Sequence, residues 1–211
     1  PTLVYMELGG YTGNLLRLNL SENKRQIEEL DEKDAYNYIG GRGYAANILY
    51  NELGPEVSPL DPENELVFMT GPLTGTLFPG AGRISISSKS PLTGSLFDCS
   101  MGGSFGVYLK KGGFDGVILE GKAEEPKYLL IDDGKAELKD AEDLWGMETQ
   151  EVEKELKDRH ENCRVAVIGP AGENEVKVAC ITSETRMAGR GGLGAVMGSK
   201  NLKAIVTKGE N

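Results

Sequence analysis

Residues 185–208 read TRMAGRGGLGAVMGSKNLKAIVTK. The stretch carries Arg186, Arg190, Lys200, Lys203 and Lys208 and no Asp or Glu, in a chain whose formal net charge is -10. Glycines at 189, 191, 192, 194 and 198 let a backbone come close to a ligand and turn its N–H groups toward it. The two arginines add forked donors that match phosphate oxygens. An anionic ligand is the expected guest.

The same stretch argues against two nucleotide-binding folds. Gly189, Gly191 and Gly194 satisfy G-x-G-x-x-G, but a dinucleotide fold requires a following helix, a second strand and an acidic residue about twenty positions on. The sequence stops at Asn211, before these could appear. Gly198, Ser199 and Lys200 lack the G-x-x-x-x-G-K order of a phosphate loop. Neither a doubly wound parallel sheet nor an ATPase is expected.

Working outward, 204–208 reads as a closing strand, and 164–168 and 175–182 as two more around the turn at 169–174. Further back, 149–160 is the clearest helix, with Val152 and Leu156 as its narrow apolar edge. The segments 66–69, 83–89, 96–99, 104–109, 115–119, 127–132 and 135–139 read as short strands with Gly or Asp-Asp-Gly at their joints. The tetrapeptide PLTG occurs at 72–75 and again at 91–94, flanking the strand at 83–89. An opening hairpin spans 14–30. Asp31 is placed to cap a helix over 32–39, the glycines of 40–43 interrupt, and helical spacing resumes over 44–53. About ten strands to three helices is the pattern of an α+β fold that is mostly antiparallel.

The composition fits an intracellular protein. Apolar residues make up 39% of the chain and fall in patterned runs, so a folded core is expected. Cys99, Cys163 and Cys180 form neither a C-x-x-C pair nor a disulfide framework, which suits reduced, cytoplasmic thiols. No secretory leader and no run of eighteen apolar residues is present, and a membrane partner is not expected. Charge is uneven: 120–161 holds 15 acids against 7 Lys or Arg, a solvated face, while 66–97 holds only Arg83 and Lys89. Two local cationic islands are too few for nucleic acid.

Little in the chain suggests self-contained catalysis. His160 is the single histidine and lies in the acidic helix, so neither a His-based triad nor a zinc site is expected. Cys99 reads as a buried thiol, and Asp98 as a carboxylate without a partner. The positive signal is three small-residue loops with arginines, at 80–83, 99–103 and 186–194. If they converge, Arg83, Arg186 and Arg190 face one glycine-walled cleft.

Several motifs also carry a family resemblance. GPLTGT at 71–76, SPLTG at 90–94, VILEGKAE at 117–124, IGPAGEN at 168–174 and AGRGGLGAVMGSKNLKAI at 188–205 resemble, in order, the N-terminal domain of the aldehyde ferredoxin oxidoreductase family. The resemblance implies two packed six-stranded sheets with a few surface helices, a single domain over 1–211 cut from a longer enzyme. In that family two pterin dithiolenes hold tungsten, sometimes molybdenum, beside a 4Fe-4S cluster, and aldehydes are oxidised with electrons passed to ferredoxin. Carried over by position, the resemblance implies cofactor contacts at Arg83, Gly102, Gly103, Arg186, Ala188, Gly189, Arg190 and Gly191. It also implies a Mg2+ between the pterin phosphates, held partly by backbone carbonyls of Ser100 and Met187.

The cluster ligands, the other pterin-binding motifs and the groups near the metal are expected in C-terminal domains outside this chain. The 211 residues alone are therefore expected to be inactive on aldehyde, and the parent enzyme is a possible homodimer. Two other readings keep the same sequence: a relative acting on another substrate, such as an aromatic acyl-CoA reductase, and a stand-alone module that binds a phosphate ligand.

Overall fold

The structure, a computed structural model, describes residues 9–209. Pro1 and Asn211, the expected edges of a cut domain, lie outside the described residues. Among the described residues twelve strands form two six-stranded sheets. The first holds β1 (Asn14–Asn19), β2 (Lys24–Glu29), β3 (Leu66–Met69), β4 (Ile84–Lys89), β5 (Leu96–Met101) and β6 (Gly116–Glu120), in the order β2-β1-β6-β3-β4-β5. The second holds β7 (Lys127–Asp132), β8 (Lys135–Asp140), β9 (Arg164–Val167), β10 (Ile181–Ser183), β11 (Arg186–Ala188) and β12 (Leu202–Lys208), in the order β11-β10-β9-β12-β7-β8. Pairing is antiparallel except for β1 with β6 and β7 with β12, so each sheet is mixed. The α+β class and the two six-stranded sheets agree with the sequence reading.

Among the described residues six α-helices and one 3-10 turn (Glu142–Leu144) complete the fold: α1 (Glu32–Tyr38), α2 (Gly41–Glu52), α3 (Phe105–Lys111), α4 (Thr149–Arg159), α5 (Pro170–Glu173) and α6 (Leu193–Ser199). Asp31 caps α1 by accepting from the Asp34 amide at 2.8 Å. The outer face of the first sheet is covered by α2, through Ala45, Ile48 and Leu49 against Val67, Met69 and Ile118. That of the second is covered by α4, through Val152 and Leu156 against Val165, Val167 and Val206. The central core joins Leu16, Phe68 and Ile86 of one sheet to Leu129, Ala166 and Ile205 of the other, with Phe105 of α3 and Val196 of α6 between them. β3 is therefore buried on both faces, which explains its unbroken apolar run and the scarcity of charge around it.

Four differences from the sequence reading have local causes. The segment 104–109, expected as a strand, is α3; Phe105 and Leu109 lie one turn apart and both are buried, and a run that short fits either period. Of 175–182 only the end is a strand: Glu175 takes φ +55°, and Val176 and Val178 face solvent. The glycines at 40–43 begin α2 rather than interrupt a helix. The helices are not all superficial either. α6 is buried along its whole length, and a Cβ at Gly198 would lie 1.9 Å from the Gly172 carbonyl oxygen of α5.

Candidate functional site

The two sheets meet at their edges. β5 ends one sheet, β11 ends the other, and the two strands adjoin without sharing a ladder. Each edge strand keeps outward backbone groups that no sheet partner uses. Between them lies a cleft of about 550 Å3 lined by Gly80, Gly82, Arg83, Ser100, Gly102, Gly103, Thr185, Arg186 and Met187. A second cavity of about 480 Å3 shares Gly80, Arg83 and Ser100 and extends to Gly40, Arg42 and Pro72. Arg83 thus stands between two halves of one groove.

The three loops singled out in the sequence do converge, but only in part. Arg83, Ser100, Gly102, Gly103, Arg186 and Met187 line the same cleft. The aliphatic stem of Arg186 lies over the glycines: its Cγ would be 3.4 Å from a Cβ at Gly103 and its Cδ 3.8 Å from one at Gly102. Gly82 is as confined, with the Gly103 carbonyl oxygen 2.8 Å from its Cβ position. Ala188 and Gly191 are buried, and Gly189 and Arg190 are exposed outside the lining. Gly191 has φ +78°, and a Cβ there would lie 2.3 Å from Phe97 Cδ1, so its glycine is accounted for by packing.

Charge is distributed differently from the expectation. Among the described residues Arg83, Arg186 and Arg190 form no ion pair, whereas Arg17, Arg42, Arg159 and Arg164 all do. None of the three lysines that completed the cationic stretch lines the cleft. Lys200 is fully buried and donates to the carbonyls of Pro62 (3.0 Å) and Gly121 (3.1 Å). Lys203 is fully buried, donates to the Met147 carbonyl (2.9 Å) and pairs with Glu173. Lys208 pairs with Asp132 at 3.2 Å. Burial pulls the Lys200 ammonium down to about 8, against the opposing pull of Glu65, Glu120 and Glu63. Burial, reinforced by Glu52, pushes the Glu65 carboxyl up to about 8 despite its 3.1 Å contact with Arg17.

Asp98, read as lacking a partner, has three. Its Oδ2 takes Arg42 Nε at 2.8 Å, and its Oδ1 accepts from the hydroxyls of Ser85 and of Ser87, the latter at 3.2 Å. Nothing local marks Arg42, because its partner lies fifty-six positions away. His160 is half-buried rather than solvent-exposed: it ends α4, its Nε2 lies 3.0 Å from the Tyr128 hydroxyl, and desolvation lowers its pKa. All three cysteines are free; Cys163 is buried, and Cys99 and Cys180 are half-buried. Among the described residues no group of three or more His, Cys, Asp or Glu could hold a metal ion, and no described helix is long and apolar enough to cross a membrane.

Fold and cleft together define an α+β domain that turns two unpaired arginines toward a glycine-walled groove at the junction of its sheets. The family model for the aldehyde ferredoxin oxidoreductase N-terminal domain matches residues 15–209, and the chain belongs to this family. It is 48% identical over 203 residues to a tungsten-containing aldehyde ferredoxin oxidoreductase of Pyrococcus abyssi, covering 95% of this chain and 33% of the relative. It is 42% identical to the WOR-like subunit of an aliphatic sulfonate oxidoreductase of Pyrococcus furiosus, covering 94% of this chain and 34% of that subunit. The solved active-site complex BamBC of benzoyl coenzyme A reductase superposes with a TM-score of 0.95 at 39% identity, covering 96% of this chain and 31% of that one. The chain spans about a third of the length of the curated relatives it matches.

Proposed function

We propose that this chain is the cofactor-cradling domain of a tungsten, or molybdenum, bis-pterin oxidoreductase that oxidises aldehydes to carboxylates. The observation that carries the reading is the pair Arg83 and Arg186, unpaired by any described carboxylate and lining one cleft with Gly82, Gly102 and Gly103. Arg17, Arg42, Arg159 and Arg164 pair with protein carboxylates and Arg25 donates to the Ala136 carbonyl; of the remaining three arginines, Arg83 and Arg186 line the cleft and are left for an anion brought from outside. The donor set fits the phosphate-bearing arms of a pterin cofactor. Ser100 on β5 and Met187 on β11 lie on opposite walls of the cleft, where their backbone oxygens would share a Mg2+ between two phosphates.

When bound, the metal and its dithiolenes supply the two-electron redox chemistry. This chain's residues bind and orient. The arginines neutralise phosphate charge, the glycines keep side chains out of the space the pterin needs, and the edge strands offer backbone groups. The 4Fe-4S cluster, its cysteines and the groups that handle substrate protons would come from the remaining C-terminal domains, and ferredoxin would take the electrons. On this reading the 211 residues alone do not turn over aldehyde. We further infer a cytoplasmic enzyme, with a homodimer as its possible assembly.

A second reading is favoured by one observation, the close structural match to a benzoyl coenzyme A reductase complex at 39% identity. The same cradle would then serve an aromatic acyl-CoA reductase, with substrate choice made outside this chain. The test is metal and pterin analysis of the full-length protein purified without oxygen. About one tungsten or molybdenum and two pterins per polypeptide are expected, followed by aldehyde-dependent or acyl-CoA-dependent dye reduction to separate the two substrates. A folded protein free of metal and pterin would overturn both in favour of a simple phosphate-binding module.

A further inference from the structure

The two walls of the cleft belong to different sheets, and one side-chain cluster fastens them together. Gly102, Gly103 and Ser104 follow β5 of the first sheet, while Glu184 and Thr185 form the turn between β10 and β11 of the second. Glu184 Oε2 accepts from the Ser104 amide (3.3 Å) and hydroxyl (3.2 Å), and Glu184 Oε1 faces Arg164 Nε at 3.1 Å. Arg164 Nε also donates to the Ser104 hydroxyl at 2.5 Å, and its guanidinium sits 4.3 Å from the centre of the Tyr108 ring of α3. From behind, the Glu184 amide donates to both carboxylate oxygens of Glu153 of α4, at 3.2 and 3.0 Å. Glu153 is buried and is itself paired with Lys157 at 2.6 Å.

Two features show that the turn is held rather than relaxed. Glu184 has φ +55°, a backbone region that a glutamate enters only at a cost on the order of 1 kcal/mol, sustained by surrounding contacts. Gly103, at φ +90°, has Glu184 Oε2 only 2.9 Å from where its Cβ would be, with Arg186 Cγ next at 3.4 Å. The carboxylate and the arginine stem therefore occupy the space a side chain at 103 would fill. Arg186 follows the turn directly, two residues after Glu184, and pairs with Ser183 across it, so its approach to the cleft is set by how that turn is fixed.

We propose that Glu184 is a positioning residue: clamped by Ser104 and Arg164, it locks the β10–β11 turn against the β5–α3 loop and so fixes the width of the cleft and the aim of Arg186 at the anion. This rests on the anion-binding reading of the cleft given above. It goes further in assigning a role to four residues, Glu184, Ser104, Arg164 and Glu153, that lie outside the cleft lining.

The test is a double-mutant cycle in the full-length protein, produced without tungsten or molybdenum, with pyrophosphate as the titrated probe in calorimetry. Glu184→Gly suits the left-handed backbone and removes the carboxylate, so it isolates the clamp from folding; each variant's thermal midpoint without ligand is recorded beside it. Expected are an about tenfold loss of pyrophosphate affinity in Glu184→Gly, recovery to within about threefold in Glu184→Gln, and no further loss when Glu184→Gly is added to Arg186→Ala. Loss in Arg186→Ala with none in Glu184→Gly overturns the clamp and spares the cleft. Equal, additive losses in both backgrounds also overturn it, because Glu184 would then not act through Arg186. No loss in Arg186→Ala overturns the anion-binding reading itself.

Discussion

The stretch 185–208 contains two regions of like composition and opposite use. In 185–190 the cations Arg186 and Arg190 are exposed and unpaired, and Gly189 has only ordinary contacts around its Cβ position. In 191–208 the cations Lys200 and Lys203 are fully buried, Gly191 is pressed against Phe97, and Gly194 and Gly198 are pressed against carbonyl oxygens of Cys180 and Gly172. The difference follows from side-chain chemistry. A lysine is a point charge on a flexible stem that can reach inward and be satisfied by carbonyls or one carboxylate, whereas the planar fork of arginine suits an oxyanion in the open. Of the five cations in this stretch, Lys200, Lys203 and Lys208 are thus satisfied by described groups of the protein, and Arg186 and Arg190 are not.

The sharpest way to break this comparison is Lys203→Met. If Lys203 is scaffold, the change leaves Glu173 buried without its cation and destabilises the protein by about 3–5 kcal/mol, read as a lower midpoint in denaturant. Adding Glu173→Met to the same chain should restore much of the loss. A loss under about 1 kcal/mol, the scale of an exposed pair, would put Lys203 on the ligand's side of the ledger.

Lys200 gives a test by pH. Burial holds its folded pKa at about 8 against 10.5 in the unfolded chain. Between those values the unfolded chain carries a proton that the folded chain has released, so stability rises with pH through that window, by up to about 3 kcal/mol. The rise should disappear in Lys200→Met, measured by denaturant unfolding at pH 8 and pH 10. Persistence of the whole rise would mean that Lys200 is solvated, like the arginines.

The glycines divide in the same way. Gly191→Ala forces a methyl into Phe97 at φ +78° and should destabilise by about 1–3 kcal/mol. Gly189→Ala, with Met187 Cγ 3.4 Å away and no positive φ, should change stability by no more than about 0.5 kcal/mol. Equal effects would erase the distinction between packing and open glycines.

These pairs also show what a sequence can and cannot disclose. Strands β1 to β9 and β12, the α1 cap at Asp31 and the apolar edge of α4 were legible because each depends on neighbours within a few residues, whereas β11 reads as a loop. The loops 80–83, 99–103 and 186–194 stood out by their glycine and arginine, but which parts of them meet, 186–187 and not 188–194, was not legible. Burial of Lys200 and Lys203 was not, because their partners at Pro62, Gly121, Met147 and Glu173 lie 30 to 138 positions away. A buried helix of small residues such as α6 has the same composition as a ligand loop, and only its long-range packing separates the two.

On the site's side of the comparison, Arg186→Ala should lower retained pterin, or pyrophosphate affinity in the cofactor-free protein, by about tenfold. The thermal midpoint of that cofactor-free protein should not move, because no described protein group depends on this guanidinium. A drop in midpoint with unchanged binding would make Arg186 scaffold after all.

Arg190 is the finest division the comparison allows. It shares the exposure and lack of an ion pair of Arg186, but it lies outside the cleft lining, beyond buried Ala188 and exposed Gly189. A cation near a site but not in it attracts an anion through solvent, where the interaction is screened within about 10 Å at 0.1 M salt. Arg190→Ala should therefore weaken pyrophosphate binding by about twofold at low salt, and that difference should vanish at about 0.5 M salt. The Arg186 effect should survive there, since a direct forked hydrogen bond is less open to screening. A salt-resistant loss in Arg190→Ala equal to that of Arg186→Ala would extend the site past β11 and shift the boundary between its two regions toward α6.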